Sequence, residues 1–171
     1  METLLVVDAK NYDPELKELK RTAVRGVVIR NGKLLVTEDK YGELKLPGGG
    51  MEAGETDKET LIREVQEESG YKVKPETIRP FGSVIEIRKS IKEEMIWHQE
   101  SRLYFCDVFD EIGERKLTPH EIRFEYQTSW YTLDQAIKKN YEMLVRENWN
   151  SVKLREYRTF QLIKDYLGKN R

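Results

Sequence analysis

Apolar residues along this chain recur at two periods, two residues in some stretches and three to four in others, which marks strands and helices in turn. Residues 22–29 (TAVRGVVI) are rich in β-branched side chains, and residues 33–36 (KLLV) follow directly after Asn31-Gly32. Asn-Gly supplies the positive φ angles of a two-residue type I′ turn, so these segments predict a hairpin. Residues 44–46 predict a short strand just before Pro47 and three glycines. A helix is expected over residues 56–69, where Thr56 caps and Glu59, three residues on, completes a capping box. Beyond Gly70, residues 81–87 and 95–109 flank the charged turn RKSIKEE and predict a second long hairpin. Trp130 and Tyr131 close another strand, and Thr132 with Gln135 opens a capped helix carrying Leu133, Ala136, Ile137 and Leu144. Over residues 151–167, Leu154, Tyr157, Phe160, Ile163 and Leu167 form one apolar stripe, read as a core-facing helix.

These elements fit one domain over residues 1–171, a length at which a domain buries roughly 70% of its unfolded surface. Neither a repeat nor a Pro/Gly/Ser linker divides the chain. Charge changes the picture by exclusion: 30 Lys+Arg nearly cancel 31 Asp+Glu, so no overall field favours a nucleic acid or an anionic membrane as partner. No apolar run approaches the ~20 residues of a membrane span, and the start lacks the pattern of a secretory signal. Cys106 is the lone cysteine, and no Cys/His cluster suggests zinc, which makes the cytoplasm the expected compartment.

Candidate chemistry gathers in residues 49–71, GGMEAGETDKETLIREVQEESGY. Seven residues stand there at fixed offsets: Gly49, Glu55, Arg63, Glu64, Glu67, Glu68 and Gly70. At about 100° per residue, Leu61 and Val65 form an apolar arc, and Glu64, Glu67 and Glu68 share the face beside it. Like charges this close repel, the i,i+4 pair Glu64 and Glu68 included. A hard divalent cation, Mg²⁺ or Mn²⁺, suits such an all-oxygen set. The alternative is a solvated acidic face, but the preceding glycines let backbone approach a ligand, with the Gly48 carbonyl as a candidate donor. Arg63 falls off the acidic arc, where it is placed either to pair with Glu55 on the incoming loop or to form an exposed ion pair of little consequence.

This spacing resembles the Nudix box, the signature of the Nudix hydrolases. The resemblance implies an α/β fold, a Nudix-type α/β/α sandwich with a mixed central sheet. It implies cleavage of the diphosphate bond in a nucleoside diphosphate linked to another moiety, with Mg²⁺ or Mn²⁺ as cofactor and a small-molecule nucleotide as partner. Glu64, Glu67 and Glu68 would then bind metal and position or deprotonate water, the Gly48 carbonyl would be a further ligand, and Glu55 with Arg63 would be a scaffold pair. The general base is left open. Tyr71 departs from the usual aliphatic residue at a position that packs and does not coordinate. Glu121 or Glu125, upstream of Trp130, is a candidate for an additional carboxylate, as members often draw one from outside the box.

Substrate is less legible. Residues 83–89 hold no proline of the kind that marks ADP-ribose enzymes, and no extended NADH-type motif is present, which leaves a nucleoside triphosphate in view. His98 and His120, and the aromatic residues Trp97, Tyr104 and Phe105, admit either a cleft or a packing role. Two other functions compete: a nucleotide sensor that binds without turnover, and a prenyl diphosphate isomerase using Cys106 as an acid. A homodimer is compatible with everything above.

Overall fold

The computed structural model describes residues 1–169. In chain order the elements are β1 (Thr3–Asp8), β2 (Glu18–Val27), β3 (Ile29–Arg30), β4 (Lys33–Glu38), β5 (Leu44–Lys45), β6 (Gly48–Gly50), α1 (Asp57–Ser69), β7 (Tyr71–Val73), β8 (Arg79–Lys89), β9 (Ile96–Phe105), β10 (Val108–Ile112), α2 (Pro119–Arg123), β11 (Gln127–Thr132), α3 (Leu133–Arg146) and α4 (Ser151–Lys169). A mixed five-stranded sheet runs β1-β8-β9-β2-β6, parallel at β1/β8 and β2/β9 and antiparallel elsewhere. Beside it lies a sheet of order β11-β4-β3, with β5 also on β4, and a small β10-β7 pair.

The Asn31-Gly32 turn forms as its chemistry dictates, with φ of 50° and 72°, and pairs Arg30 with Lys33. The first expected strand, however, is split at Val28. Residues up to Val27 pair with β6 and β9, whereas Ile29 and Arg30 pair with β4 in the other sheet. One apolar run thus serves two sheets, which a period of two cannot reveal. The second hairpin is present between β8 and β9, but its long second run breaks after Phe105, and Val108 starts β10 against β7. Three elements have weak sequence signals: edge strand β1, the five-residue α2, and the triple glycine itself, which forms β6 against β2.

Both sheets lie between helices, because each presents apolar residues on two faces. On one side Leu61 and Val65 of α1 pack on Val24, Val28 and Leu35. On the other, Ala136 of α3 and Phe160 and Ile163 of α4 pack on Val27, Leu34, Val84 and Leu103. Full burial of Leu61 and of Val65 contributes roughly 1.5–3 kcal/mol each and fixes the rotation of α1 about its axis. Tyr71 packs as its position requires, edge-on to Trp130 at 5.7 Å.

The α4 stripe is the expectation most altered. Phe160 and Ile163 are buried, but the N-terminal half turns Arg155, Glu156 and Thr159 inward. Arg155 bonds Glu86 of β8 at 2.8 Å and its neighbour Glu156, and Ser151 bonds Glu86 at 2.7 Å. That half of the helix packs on β1 and β8 over buried Glu86, so its buried charges are paired.

Candidate metal and phosphate site

The capping box of α1 is made by both partners: Thr56 accepts from the Glu59 N–H, and Glu59 Oε2 accepts from the Thr56 N–H at 2.8 Å. This sets where α1 begins and hence which residues stand over β6. Glu68 is one of them. Its Oε2 accepts the Gly48 N–H at 2.8 Å, and only 7% of the residue is exposed. Burial pushes its carboxyl up to about 8; the Arg25 guanidinium and the Gly48 N–H oppose the rise, and the charges on Glu121 and Glu64 add to it. Glu64 is raised as well, again by burial first, against the pull of Arg63.

The loop fits this arrangement because of what glycine lacks. A Cβ on Gly49 would overlap the Glu64 carboxylate, and Gly48, at φ 145°, would drive one into the Val24 carbonyl. The Gly48 carbonyl, expected as a metal ligand, accepts from Arg25 Nη1 at 3.1 Å; the same nitrogen donates to Leu46 O at 2.9 Å. A carbonyl has a second lone pair, so this contact leaves one acceptor direction open.

Arg63 and Glu55 meet as a fork on a fork, Nε to Oε1 at 2.6 Å and Nη2 to Oε2 at 2.8 Å. Arg63 also donates to Gly50 O at 3.1 Å, so one guanidinium ties the loop to the helix. Its hydrogen bonds, with one from the Glu52 N–H, hold the Glu55 carboxyl down at about 2. The helical wheel placed Arg63 off the acidic arc, but its long stem brings Nη1 back to Glu64 at 2.7 Å and Glu67 at 3.4 Å. Arg63 therefore stands among the acids, and among the described residues no three acidic, histidine or cysteine side chains close to ligand spacing. Glu67 is the most solvent-facing of the trio.

The two candidates for an extra carboxylate separate. Glu121, held on α2 by accepting the Thr118 N–H at 2.7 Å, lies close enough to raise both Glu64 and Glu68. Glu125 turns away, 4.0 Å from Lys40 at the surface. His98 pairs with Glu18 at 3.3 Å across β9 and β2, and His120 stacks on Phe124 at 4.5 Å. Tyr104 bonds Asp57 at the start of α1, and Phe105 packs on Phe81. Cys106 lies just past β9, buried in the core with Leu61 and Val65, and burial pushes its thiol up to about 12; it packs as an apolar residue.

Sequence reasoning missed Arg21 and Arg25, which stand on the same face of β2 as the core residues Ala23 and Val27. A readable signal existed: arginine at inward positions of a strand is costly unless something anionic or carbonyl-rich meets it.

A family model of the NUDIX domain matches residues 19–153. Curated relatives include YjhB of Bacillus subtilis (strain 168), 30% identical over 102 residues that cover 59% of this chain and 48% of that protein. The ADP-ribose pyrophosphatase of Methanocaldococcus jannaschii is 37% identical over 98 residues, 55% of this chain and 53% of that one. Nucleoside triphosphatase NudI of Enterobacter sp. (strain 638) is 29% identical over 119 residues, 66% of this chain and 82% of its own. The chain thus spans about half the length of the first and second of these relatives. Among solved structures, a NUDIX hydrolase from Nitrosomonas europaea has the same fold at a TM-score of 0.59 and 20% identity, covering 90% of this chain and 92% of that one. With the box geometry in place and most of its length matched, this chain belongs to the NUDIX domain family.

Proposed function

We propose that this chain is a metal-dependent hydrolase of the diphosphate bond in nucleoside diphosphates linked to another moiety. The observation that carries it is the packing of acids against the glycine strand: buried Glu68 accepts the Gly48 N–H, and the Glu64 carboxylate occupies the space that a Cβ on Gly49 would take. Ionised carboxylates in such surroundings call for a cation. The donors present are all hard oxygens, which fits Mg²⁺ or Mn²⁺, and the absence of a Cβ at Gly49 gives Glu64 its seat.

Glu64, Glu67 and Glu68 are the side chains that would hold the ion, with the Gly48 carbonyl as a further ligand. A divalent ion bound there supplies charge neutralisation on phosphate and a lower pKa for water. The chain's own contributions are distinct. Glu68 is locked by the Gly48 N–H, so its free oxygen points one way. Glu55 and Arg63 hold the loop so that Gly48, Gly49 and Gly50 keep their backbone groups beside the acids. Burial around Glu68 limits water and strengthens every charge interaction nearby.

The relatives include both an ADP-ribose pyrophosphatase and a nucleoside triphosphatase, and both activities fit this reading. The test is release of phosphate, pyrophosphate or nucleoside monophosphate from a panel of nucleoside triphosphates, nucleotide sugars, ADP-ribose and dinucleoside polyphosphates, with and without Mg²⁺. Turnover on some member that EDTA abolishes supports the proposal. Tight nucleotide binding with no turnover across the panel refutes it and favours a sensor.

A further inference from the structure

Alternation along the β2/β6 ladder leaves part of the glycine strand facing away from its partner. Gly26 N–H bonds Pro47 O at 2.9 Å and Met51 N–H bonds Thr22 O at 3.1 Å, and these contacts mark the bonded positions of the ladder. Gly48, opposite Arg25, falls between such positions, so its N–H and C=O both point off the edge of the sheet that β6 forms. The Leu46 carbonyl, two residues back, is in the same phase. Glycine restrains its own peptide planes little, so an edge of this kind depends on what grips it.

Two side chains grip it, one from each face of the sheet. Glu68 reaches it from α1, the face on which Val24 is buried, and accepts the Gly48 N–H at 2.8 Å. Arg25 alternates with Val24 and so lies on the opposite face, with Val27 and α4. Because Gly48 carries no side chain, the Arg25 stem passes over it, and Nη1 donates to Leu46 O at 2.9 Å and to Gly48 O at 3.1 Å. The two peptide planes that flank the Gly48 Cα are thereby pinned separately, the one before it by a carboxyl and the one after it by a guanidinium. The guanidinium charge also reaches two buried carboxyls: it opposes the rise that burial imposes on Glu68, and together with Arg155 and Lys45 it outweighs burial at Glu156. A cation on a packed sheet face is costly unless it is met in this way.

We infer that Arg25 is a positioning residue for the hydrolytic site: it sets the direction of the Gly48 carbonyl and, through the Gly48 backbone, the seat of Glu68, without touching substrate. The inference rests on the hydrolase reading for the use to which that edge is put. A group that orients a metal ligand from behind matters nearly as much as the ligand itself, because a displaced oxygen costs rate steeply.

The test takes the full chain and three variants. Arg25→Met keeps an apolar stem and removes every donor, Arg25→Lys keeps the charge but not the fork, and Arg155→Ala disturbs the buried ions of α4 without touching either carbonyl. Two quantities are read: exchange of the Gly48 amide proton by NMR in metal-free protein, and kcat with KM for the fastest substrate of the nucleotide panel with Mg²⁺. Arg25→Met is expected to speed Gly48 exchange about tenfold or more and to lower kcat about 30-fold or more, with KM within about threefold. Arg25→Lys should recover part of both losses, and it carries the comparison alone if Arg25→Met folds poorly. Arg155→Ala should leave both within a few-fold. Unchanged Gly48 exchange in the Arg25 variants overturns the inference, as does faster exchange with kcat intact. A rise in KM with kcat intact would make Arg25 a substrate contact and overturns it too. Faster exchange in a protein that hydrolyses no nucleotide supports the hold of Arg25 on this edge and counts against the hydrolase reading.

Discussion

Replacing Glu68 by Gln is expected to abolish turnover and, without metal, to make the protein more stable at alkaline pH. The folded Glu68 carboxyl holds its proton up to about pH 8, while the unfolded chain releases it near the ordinary value of 4.5. The folded state therefore binds the extra proton, and the stability this supplies is complete below about pH 4.5 and is lost progressively as pH rises toward 8. Converted at about 1.36 kcal/mol per unit, the full displacement corresponds to roughly 4–5 kcal/mol, an upper bound because solvent and ions screen a real site. Gln keeps an acceptor for the Gly48 N–H and carries no charge, so it escapes most of that loss. A gain of about 2–4 kcal/mol at pH 8 in EDTA, roughly 5–12 °C in Tm for a chain of this size, should shrink to about 1 kcal/mol or less at pH 5. Saturating Mg²⁺ should stabilise the wild type and not the variant, narrowing the gap. Thermal melts by circular dichroism at both pH values, with EDTA and with Mg²⁺, measure all three. A variant less stable than wild type at pH 8 in EDTA would refute the claim that Glu68 is held at an electrostatic cost.

The glycines should separate site from scaffold. Gly49→Ala displaces only the end of the Glu64 side chain, so kcat should fall by about 100-fold or more with Tm nearly unchanged, because misplaced catalytic groups lose rate steeply. Gly48→Ala forces a Cβ into backbone at a left-handed φ and should cost about 1–3 kcal/mol in urea unfolding. Arg155→Ala leaves Glu86 and Glu156 buried without their cation and should cost about 3–5 kcal/mol, whereas its effect on kcat should stay within a few-fold. Arg63→Ala frees Glu55 and the Gly50 carbonyl together, and should lower kcat/KM by about 100-fold with a loop that hydrogen exchange finds less protected.

Local physics was legible in the sequence, and long-range physics was not. Thr56 with Glu59 and Thr132 with Gln135 fixed two helix starts, and Asn31-Gly32 fixed a turn, because each acts within a few residues of its own position. The offsets of Glu64, Glu67 and Glu68 put three acids on one helical face by rotation per residue alone, and the box named the family. Tertiary structure decided what surrounds them. It brought Arg25 under Gly48 from a strand over twenty residues away, set Glu121 rather than Glu125 near the acids, and swung Arg63 into their midst. It divided residues 22–29 between two sheets and turned Arg155 and Glu156, which lie outside the apolar stripe read for α4, inward. Burial, on which the raised pKa of the Glu68 carboxyl depends, is a property of the packed whole, and no single segment carries it.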